Sequence, residues 1–384
     1  MKKIFYWSPF LSNIATIDAV VNSIKSIQKY DEKNFYEPSI LDACGEWQTK
    51  NEKLKDINVI QLYKKNYYNL LPKGSYFKSR LSQFTIFILS FISLKKKLKK
   101  EKPDYIVAHL IISLPLILFY LYSFKTKLVV RISGTPKLNL IRKFFWSKFS
   151  QNVECVTCPT ISTYNTLKRL NIFPVSKLKL LYDPIISINR ITQEKKKKIE
   201  TIFNNKEYIL SIGRLTKQKN FSLLINSFKE IKKKIPNINL VILGEGEERK
   251  KLENQIIDLD LKSSVFLLGY RKNVFNYIYN SKCYISTSFH EDPGFSLIEA
   301  GSLNKIIIAF DSKTGPSEII DRSRRGFLFS DLDSTILTDT FFDFCECKNE
   351  IINLKKIRLK KYIKNFTLFS HYKKLGQIFI KSNK

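Results

Sequence analysis

The chain contains 384 residues, and its 66 Lys and Arg against 34 Asp and Glu give a formal net charge of +32. With 44% hydrophobic and 13% aromatic residues, a chain of this length can bury two cores, which excludes a wholly disordered protein and predicts two domains. The cations are 54 Lys and only 12 Arg. Because bidentate recognition of phosphates and bases favours Arg, this ratio argues against specific nucleic-acid binding and permits attraction to an anionic membrane surface.

Cysteine and histidine are both scarce, with six and three residues respectively, and the N-terminal sequence lacks the pattern of a secretory signal peptide. We therefore expect a cytoplasmic protein with reduced thiols. Cys155 and Cys158 have the spacing of a metal knuckle, but they lie in an apolar run and no second pair follows at a suitable distance. They are interpreted as thiols on a strand, and no metal site is predicted.

The first half of the chain contains a series of short apolar segments typical of buried strands, separated by helical patterns. A polar, charged segment over 191–206 shows no strand pattern and predicts the linker between the domains. We therefore assign residues 1–190 to an N-terminal α/β domain. Its predicted strands are 3–8, 38–43, 57–62, 104–109, 127–132, 154–159 and 178–183.

Residues 105–124 include no Lys, Arg, Asp or Glu, and this uncharged run is long enough for a membrane-spanning helix. The Pro-Asp turn before this run and Pro115 within it instead favour a short buried strand followed by a new helix, and this is our prediction. The apolar run 84–94 is too short to span a bilayer, but it is followed by the basic block 95–100 and could lie on a membrane surface.

From residue 207 onward, strands alternate regularly with amphipathic helices. This alternation is the signature of βαβ units, whose strands are parallel and covered by helices on both faces. Residues 207–365 are therefore predicted to be a second doubly wound α/β domain. Its predicted strands are 208–213, 239–244, 264–269, 283–288 and 305–310.

Ligands of open parallel sheets bind beyond the carboxyl ends of the strands, and the unusual residues of the second domain stand there. The loop 213–220 carries Arg214 and Lys219, which could clamp a diphosphate, although a solvated loop is an equal alternative. The Gly244-Glu245-Gly246 turn lacks the third glycine of a dinucleotide fingerprint, and the P-loop motif is absent. A Rossmann dehydrogenase and a P-loop nucleotidase are therefore disfavoured.

The segment after strand 283–288 combines a Pro-Gly turn with a helix predicted to begin near Phe295. The N-terminal amides of this helix, at Gly294, Phe295, Ser296 and Leu297, could hold an anion. Glu291 precedes them and Glu299 follows one turn into the helix, so that one carboxylate could bind a sugar and the other a ribose diol. A pair of glycosidase carboxylates and a structural capping Glu are the alternatives.

The order and spacing of these motifs resemble the C-terminal half of the retaining glycosyltransferase family 4, which has the GT-B fold. The resemblance extends over about 110 residues and rests on the loop 213–220, the Gly-Glu-Gly turn, the Glu291/Glu299 pair and Gly-Pro-Ser-Glu-Ile-Ile at 315–320. It implies two Rossmann-like domains facing each other across a cleft, with residues 366–384 forming a helix that returns to the first domain.

The resemblance also implies roles for individual residues, with a nucleotide-diphosphate sugar, UDP- or GDP-linked, as donor and no divalent metal. Arg214 and Lys219 would bind the diphosphate, Glu299 the ribose and Glu291 the hydroxyls of the transferred sugar. Gly294, Phe295, Ser296 and Leu297 would meet the phosphate and sugar through their backbone. Further contacts to the base and the adjoining wall are implied for Leu268, Gly269, Tyr270, Arg271, Gly315 and Glu318.

Through residues 7–20, 103–116 and 131–139, the first domain is similar, more loosely, to bacterial enzymes of surface-polysaccharide synthesis, and this resemblance implies that it binds the acceptor. Family members often place a His after the strand equivalent to 127–132, whereas this chain has Ser133-Gly134. His109 ends a different strand, and a catalytic role and a structural one are equally open. Ser12, Asn13 and Thr16 could touch donor phosphates or the acceptor, or could cap the helix that follows.

These features together predict a metal-independent retaining glycosyltransferase, moving a hexosyl or N-acetylhexosaminyl group to a saccharide acceptor, lipid-linked in our interpretation. The expected context is O-antigen, capsule or lipopolysaccharide synthesis at the inner face of the cytoplasmic membrane, contacted by the basic N-terminal domain. The alternative is a membrane- or polyanion-binding protein that keeps the GT-B fold without transferase activity.

Overall fold

A computed structural model describes residues 1–12, 14–72, 76–132, 134, 139–197 and 207–381. The chain divides into two compact units. The first unit comprises Met1–Pro184 and Leu368–Lys384, and the second comprises Ile185–Thr367. The predicted linker 191–206 falls within the second unit, where Ile188–Glu194 form a helix, and its residues 198–206 lie outside the described part of the chain.

The described part of the first unit contains a seven-stranded sheet whose paired strands are all parallel. Its order is β3-β2-β1-β4-β5-β6-β7, so the direction of strand addition reverses between β1 and β4. Every strand overlaps its predicted segment, with ends that differ by up to three residues. The strands are β1 (Lys2–Trp7), β2 (Tyr36–Asp42), β3 (Asn58–Gln61), β4 (Tyr105–Ala108), β5 (Lys127–Arg131), β6 (Val153–Cys158) and β7 (Leu178–Leu180).

Helices cover both faces of this sheet, as a parallel sheet requires. Buried side chains of α2, α3, α4 and α5 pack on one face, and those of α1 and α14 pack on the other. Cys155 and Cys158 are both buried on β6, which confirms their interpretation as strand thiols. The helices are α1 (Ala15–Tyr30), α2 (Tyr76–Glu101), α3 (Ser113–Leu121), α4 (Leu140–Phe149), α5 (Ile161–Leu170) and α14 (Leu368–Lys381).

The long apolar run 105–124 is a strand followed by a helix, as predicted. Its first four residues form β4, which is buried between β1 and β5, and α3 begins at Ser113 with Pro115 in its first turn. Among the helices of the described residues, none combines the length and the apolar character needed to cross a membrane. The absence of charge in this run is explained by the burial of β4 and of most of α3.

The described part of the second unit contains a six-stranded parallel sheet of the order β10-β9-β8-β11-β12-β13. Its direction of strand addition reverses between β8 and β11. Five strands correspond to the predicted ones, and the short strand β13 was not predicted, because three residues are too few to show a period. The strands are β8 (Tyr208–Ile212), β9 (Asn239–Leu243), β10 (Val265–Gly269), β11 (Cys283–Ser286), β12 (Ile307–Phe310) and β13 (Phe327–Phe329).

Amphipathic helices connect these strands and bury a continuous apolar core against the sheet. Phe228 and Phe341, on two of these helices, are fully buried there. The second unit thus repeats the doubly wound architecture of the first, which confirms the prediction of two Rossmann-like domains. The helices are α6 (Ile188–Glu194), α7 (Phe221–Lys234), α8 (Arg249–Asp258), α9 (Phe275–Asn280), α10 (Phe295–Ser302), α11 (Gly315–Ile320), α12 (Ser334–Glu346) and α13 (Asn349–Ile363).

A buried hydrogen-bond chain joins α14 to α1 in the first unit. The Nδ1 atom of His371 lies 2.8 Å from the carbonyl oxygen of Tyr182, and its Nε2 atom lies 2.8 Å from Ser23 Oγ. The hydroxyl of Tyr6 lies 2.9 Å from the same Ser23 oxygen. A neutral imidazole satisfies the chain, since Nδ1–H donates to the carbonyl while Nε2 accepts from Ser23. Burial accordingly lowers the pKa of His371 to about 4.

Because the pKa of His371 is lowered in the folded state, we expect the protein to become less stable as the pH falls. This pKa is about 4 in the folded state and 6.5 in the unfolded state, so between these values the unfolded chain binds more protons. The free energy of unfolding should therefore decrease from about pH 6.5 downward, by up to roughly 3 kcal/mol from this group. In His371→Gln the decrease, measured by thermal unfolding between about pH 4 and pH 8, should be smaller. Curves of equal slope for both proteins would contradict this.

Candidate functional site

Four loops follow four neighbouring strands at the carboxyl edge of the second sheet. They come after β9, β8, β11 and β12, which are consecutive in the sheet and span the point where strand order reverses. Crevices at such reversal points are where open α/β sheets bind ligands. The residues predicted from sequence on the loops after β8 and β11 therefore lie at the position in the unit best suited to a ligand.

The loop after β8 carries the two predicted cations. Arg214 is exposed, whereas Lys219 is largely covered on the short turn that ends at Asn220. A methyl group in place of the Gly213 hydrogen would come within 2.9 Å of Lys219 Cε, so the side chain of Lys219 folds back over the start of the loop. The loop thus exposes the Arg214 side chain to solvent and holds the Lys219 side chain in a defined position.

Lys219 forms an ion pair with Glu291, which comes from the loop after β11. The ammonium contacts Glu291 Oε1, and the two side chains are only 17% and 11% exposed. The structure therefore brings together two residues that lie 72 positions apart and that the sequence analysis had assigned to different parts of one ligand. Because few waters reach this pair, each charge depends on the other for compensation.

The loop after β9 is joined to the loop after β8 by backbone hydrogen bonds. Leu215 N–H donates to the Glu245 carbonyl over 2.9 Å, and Glu248 N–H donates to the Leu215 carbonyl over 2.9 Å. Gly244 has a positive φ of 144°, and a Cβ atom there would stand 1.8 Å from the Gly213 carbonyl oxygen. The Gly-Glu-Gly turn is therefore explained by the close approach of two loops, which leaves no space for a side chain at Gly244.

The loops after β11 and β12 are joined in the same way. Gly315 N–H and the Thr314 hydroxyl both donate to the Glu291 carbonyl, over 2.9 and 2.5 Å. A Cβ atom at Gly315 would meet the Pro293 carbonyl oxygen at 1.9 Å. The backbone of Glu291 is thus fixed from one side by β12's loop while its side chain is held from the other by Lys219.

The helix predicted near Phe295 begins at that residue, and α10 follows Gly294, which has a φ of 92°. Phe295 and Ser296 are partly exposed, whereas Leu297 is buried and its N–H donates to the Gly294 carbonyl over 3.2 Å. Leu297 therefore uses its amide inside the first turn. Glu299 is partly exposed one turn further along the helix.

The remaining predicted residues of the second unit have varied environments. Tyr270 is 71% exposed beside Gly269, and so its ring is accessible to a ligand. Glu318 Oε1 accepts a 2.8 Å hydrogen bond from the Tyr362 hydroxyl, which gives it a structural partner. Within the described ranges, no three His, Cys, Asp or Glu residues are grouped so as to hold a metal ion.

The predicted residues of the first unit lie at the carboxyl edge of its sheet. His109 follows β4, its Nδ1 atom is buried without a hydrogen-bond partner, and burial together with the nearby positive charge of Arg131 lowers its pKa. Ser12 is exposed and Thr16 is partly exposed at the start of α1, where Ile14 occupies the N-cap position. Asn13 and Ser133 lie outside the described residues.

Several residues that support the site were missed by the sequence analysis. The Tyr284 hydroxyl lies 2.7 Å from Ser296 Oγ and 3.2 Å from the Ile212 carbonyl oxygen, linking β11 to α10 and β8. Thr287 Oγ1 lies 2.9 Å from the carbonyls of Lys219 and Asn220. A buried Tyr or Thr must satisfy its hydroxyl, so a polar residue in an apolar strand was the available signal.

A sequence comparison identifies the region that contains this site. The profile of the family described as "Glycosyl transferases group 1" matches residues 192–365. Residues 192–365 are therefore similar to the group 1 glycosyl transferases. The matched region covers nearly the whole of the second unit, including the four loops.

Individual relatives also match parts of the chain. It is 30% identical over 251 residues to "Uncharacterized glycosyltransferase MJ1059" of Methanocaldococcus jannaschii, which covers 59% of this chain and 60% of that protein. It is 29% identical over 218 residues to an N-acetylgalactosamine-N,N'-diacetylbacillosaminyl-diphospho-undecaprenol 4-alpha-N-acetylgalactosaminyltransferase of Campylobacter jejuni, covering 54% and 57%. The chain thus spans about 60% or less of the length of these curated relatives.

Solved structures match over both units of the chain. A glycosyltransferase from Rickettsia africae has a TM-score of 0.79 at 15% identity and covers 100% of this chain and 99% of its own. The crystal structure of TarM has a TM-score of 0.74 at 16% identity, with 99% of each chain covered. At this identity the likeness establishes the fold, which is the GT-B fold of two Rossmann-like domains.

Because Gly315 closely approaches the Pro293 carbonyl, we expect a single added methyl group at this position to lower the stability of the protein. Gly315→Ala would place a carbon against a backbone carbonyl, so the loops after β11 and β12 must separate and the protein should be destabilised by a few kcal/mol. Gly376→Ala is the matched control, because a Cβ atom there has no neighbour within 4 Å and lies in α14. Thermal unfolding should show a lower Tm for the first variant and an equal or higher Tm for the control.

The ion pair predicts strong coupling between its partners. Lys219→Met should lower the free energy of unfolding because Glu291 is left uncompensated, and Glu291→Gln should do so less because its amide still accepts a hydrogen bond. The double variant should recover part of the loss, giving a coupling energy of roughly 1–3 kcal/mol in a double-mutant cycle measured by denaturant unfolding. Additive effects of the two substitutions would contradict a stabilising pair.

Proposed function

We propose that this protein transfers a sugar from a nucleotide-diphosphate sugar to a saccharide acceptor. The observation that carries the proposal is the joining of Lys219 to Glu291 at the point of strand reversal, beside Arg214 and the N-terminus of α10. Cations, helix amides and a carboxylate are thereby available to one ligand that carries both phosphates and hydroxyls. The similarity of the region that contains these residues to the group 1 glycosyl transferases supports the same assignment.

In the proposed reaction the bond between the anomeric carbon and the diphosphate breaks, and an acceptor hydroxyl oxygen forms the new glycosidic bond as its proton is released. Arg214 and Lys219 stabilise the negative charge that develops on the departing diphosphate, and we propose that they do so without a divalent metal. Glu291 binds hydroxyls of the transferred sugar, and Glu299 binds the ribose. The transition state resembles an oxocarbenium ion, and the anomeric configuration is retained.

The fixed geometry of Glu291 is what suits it to positioning a sugar. Its backbone carbonyl accepts from Gly315 and Thr314, which fixes the loop, and its carboxylate contacts Lys219, which gives the side chain a defined position before a ligand binds. A diphosphate that draws Lys219 toward itself would release Oε1 of Glu291 for a sugar hydroxyl. Donor binding and sugar positioning are coupled in this way through one ion pair, and preorganised groups of this kind favour the transition state.

We propose a UDP- or GDP-linked donor that carries a hexosyl or N-acetylhexosaminyl group, and known proteins of the same fold support the uridine form. Anabaena HepE, with a TM-score of 0.71 at 14% identity, has been solved in complex with UDP-glucose, and a Staphylococcus aureus TarM mutant in complex with UDP. Both of these structures contain a bound uridine nucleotide. We propose the uridine diphosphate sugar as the first donor to examine.

The names of relatives support an acceptor in surface-polysaccharide synthesis. They include the diphospho-undecaprenol-linked transferase of Campylobacter jejuni and an amylovoran biosynthesis glycosyltransferase of Erwinia amylovora, which is 36% identical over 124 residues, 32% of this chain and 35% of that protein. We propose a lipid-linked saccharide acceptor, with the protein peripheral on the inner, cytoplasmic face of the cytoplasmic membrane. O-antigen, capsule and lipopolysaccharide synthesis are the pathways that fit such an acceptor.

The first experiment is thermal unfolding of the purified chain with UDP, GDP, ADP or CMP. A ligand present at about 100 times its dissociation constant should raise the free energy of unfolding by roughly 2.7 kcal/mol. One nucleotide, with UDP expected, should raise the Tm, and Arg214→Ala should abolish the shift while leaving the Tm without ligand unchanged, because its side chain is exposed. Equal Tm values with all four nucleotides would contradict the proposal.

A further inference from the structure

The long helix α2 exposes a face that is more apolar than the face it buries. Phe77, Leu81, Phe84, Ile88 and Ile92 recur at steps of three and four, so they share one side of the helix. All five are exposed, with Phe77 at 78% and Phe84 and Ile92 each at 60%. The opposite side is buried and includes two serines; it consists of Ser82, Ile86, Ser90, Leu94 and Leu98.

This inversion requires an explanation, because a helix that only covers a sheet turns its apolar side inward and its polar side to water. The two serines lie in the interior, whereas the five large apolar side chains remain about half exposed or more. Contiguous exposed apolar surface of this kind marks a site of interaction. The surface must therefore be suited to a partner that buries aliphatic and aromatic groups along about 22 Å of helix, from residue 77 to residue 92.

The same apolar character continues onto the neighbouring helices. Helix α2 packs against α3, and α3 packs against α4, on one side of the first sheet. On α4, Leu140, Ile141 and Phe144 are 86%, 78% and 66% exposed. We call the exposed side chains of the two helices the apolar face; it consists of Phe77, Leu81, Phe84, Ile88, Ile92, Leu140, Ile141 and Phe144.

Lysines border the apolar face. Lys96 and Lys99 are exposed and follow Ile92 at helical spacing, on the same side of α2. Lys95 Nζ lies 3.7 Å from the centre of the Tyr122 ring, and Lys148 Nζ lies 5.8 Å from that of Phe144 on α4. The cations therefore stand beside aromatic rings at the edge of the apolar face, which is typical of surfaces that lie at the boundary of a membrane.

The charge of this part of the chain is strongly one-sided. Residues 57–153 contain 18 Lys and Arg against two acids, Glu101 and Asp104, which gives 18 − 2 = +16, half of the +32 of the whole chain. A second copy of the chain would bring an equal positive charge against this surface. Nucleic acid would satisfy the lysines, but it would leave the exposed Phe, Leu and Ile side chains in water.

We propose that the apolar face docks on an anionic lipid bilayer, with α2 lying in the plane of the interface. Phe77, Phe84 and Ile92 enter the boundary between headgroups and acyl chains, and Lys96 and Lys99 contact phosphate groups. A bilayer meets both requirements of this surface, because it buries aliphatic and aromatic groups and supplies negative charge. Docking through α2 and α4 does not depend on the proposed transfer reaction.

Vesicle sedimentation with the full chain, without any nucleotide, tests the proposal. We expect the protein to pellet with vesicles of phosphatidylcholine and phosphatidylglycerol, at least tenfold more strongly than with phosphatidylcholine alone, and to be released only in part by about 0.5 M salt. Incomplete release is the signature of the apolar contribution. Failure to bind the anionic vesicles would overturn the proposal, whatever the outcome of the nucleotide experiment.

Matched variants locate the binding surface. Phe84→Gln with Ile88→Gln should reduce the partition coefficient about tenfold or more and make the remaining binding fully salt-sensitive. Lys96→Glu with Lys99→Glu should do the same at low salt. The controls are Ile357→Gln, an apolar residue of α13 that is 65% exposed, and Lys360→Glu with Lys361→Glu, two exposed lysines on that helix. Both controls should bind as the parent does.

A second pair of substitutions, Ile141→Gln with Phe144→Gln on α4, keeps the test decisive if the α2 variant does not fold. Thermal unfolding of each variant should give the Tm of the parent, because the replaced side chains are exposed. Equal losses in the control variants would show charge-driven adsorption and overturn the assignment to this face. Full release of the parent by salt, or displacement by duplex DNA with unchanged binding of the glutamine variants, would also overturn it.

Discussion

The candidate site depends on the hydrogen bonds that join four loops at the carboxyl edge of the second sheet. Parallel strands leave their loops side by side at one edge, and each loop has backbone groups that the strands no longer pair. Here neighbouring loops satisfy one another, through Leu215 with Glu245 and Glu248, and through Glu291 with Thr314 and Gly315. The glycines at 244 and 315 are required because a side chain would occupy the position of the facing carbonyl.

This arrangement decides which side chains can serve a ligand. Lys219 and Glu291 stand on the two loops that flank the reversal of strand order, and their partial burial keeps each in place for the other. Arg214 is exposed on the same loop as Lys219. The site thus combines a largely buried ion pair with an exposed cation, which suits an anionic ligand.

The two units have the same doubly wound architecture, but their unusual residues lie on different parts of it. In the second unit the unusual residues collect at the edge of the sheet, whereas in the first unit they lie on the outside of α2 and α4. Polar and apolar side chains are exchanged on α2, since Ser82 and Ser90 are inside and Phe84 and Ile92 are outside. Composition by itself predicts a basic protein, and only the placement of the apolar side chains beside the lysines distinguishes a bilayer from other anionic partners.

Much of this could be determined from the sequence, because it depends on local pattern. Alternation of strands and helices predicts two doubly wound domains, since period and order are properties of neighbouring residues, and Pro115 was enough to separate β4 from α3. The motif residues at 213–220 and 291–299 could be placed at strand ends for the same reason.

The sequence could not show that Lys219 contacts Glu291, that Tyr284 and Thr287 support them, or that Gly315 approaches Pro293. These contacts join segments distant in the chain, and only the order of strands in the folded sheet decides which loops become neighbours. The exposed side of α2 was likewise undecided, since its sequence is apolar on most sides and the face that is buried is chosen by packing against the sheet.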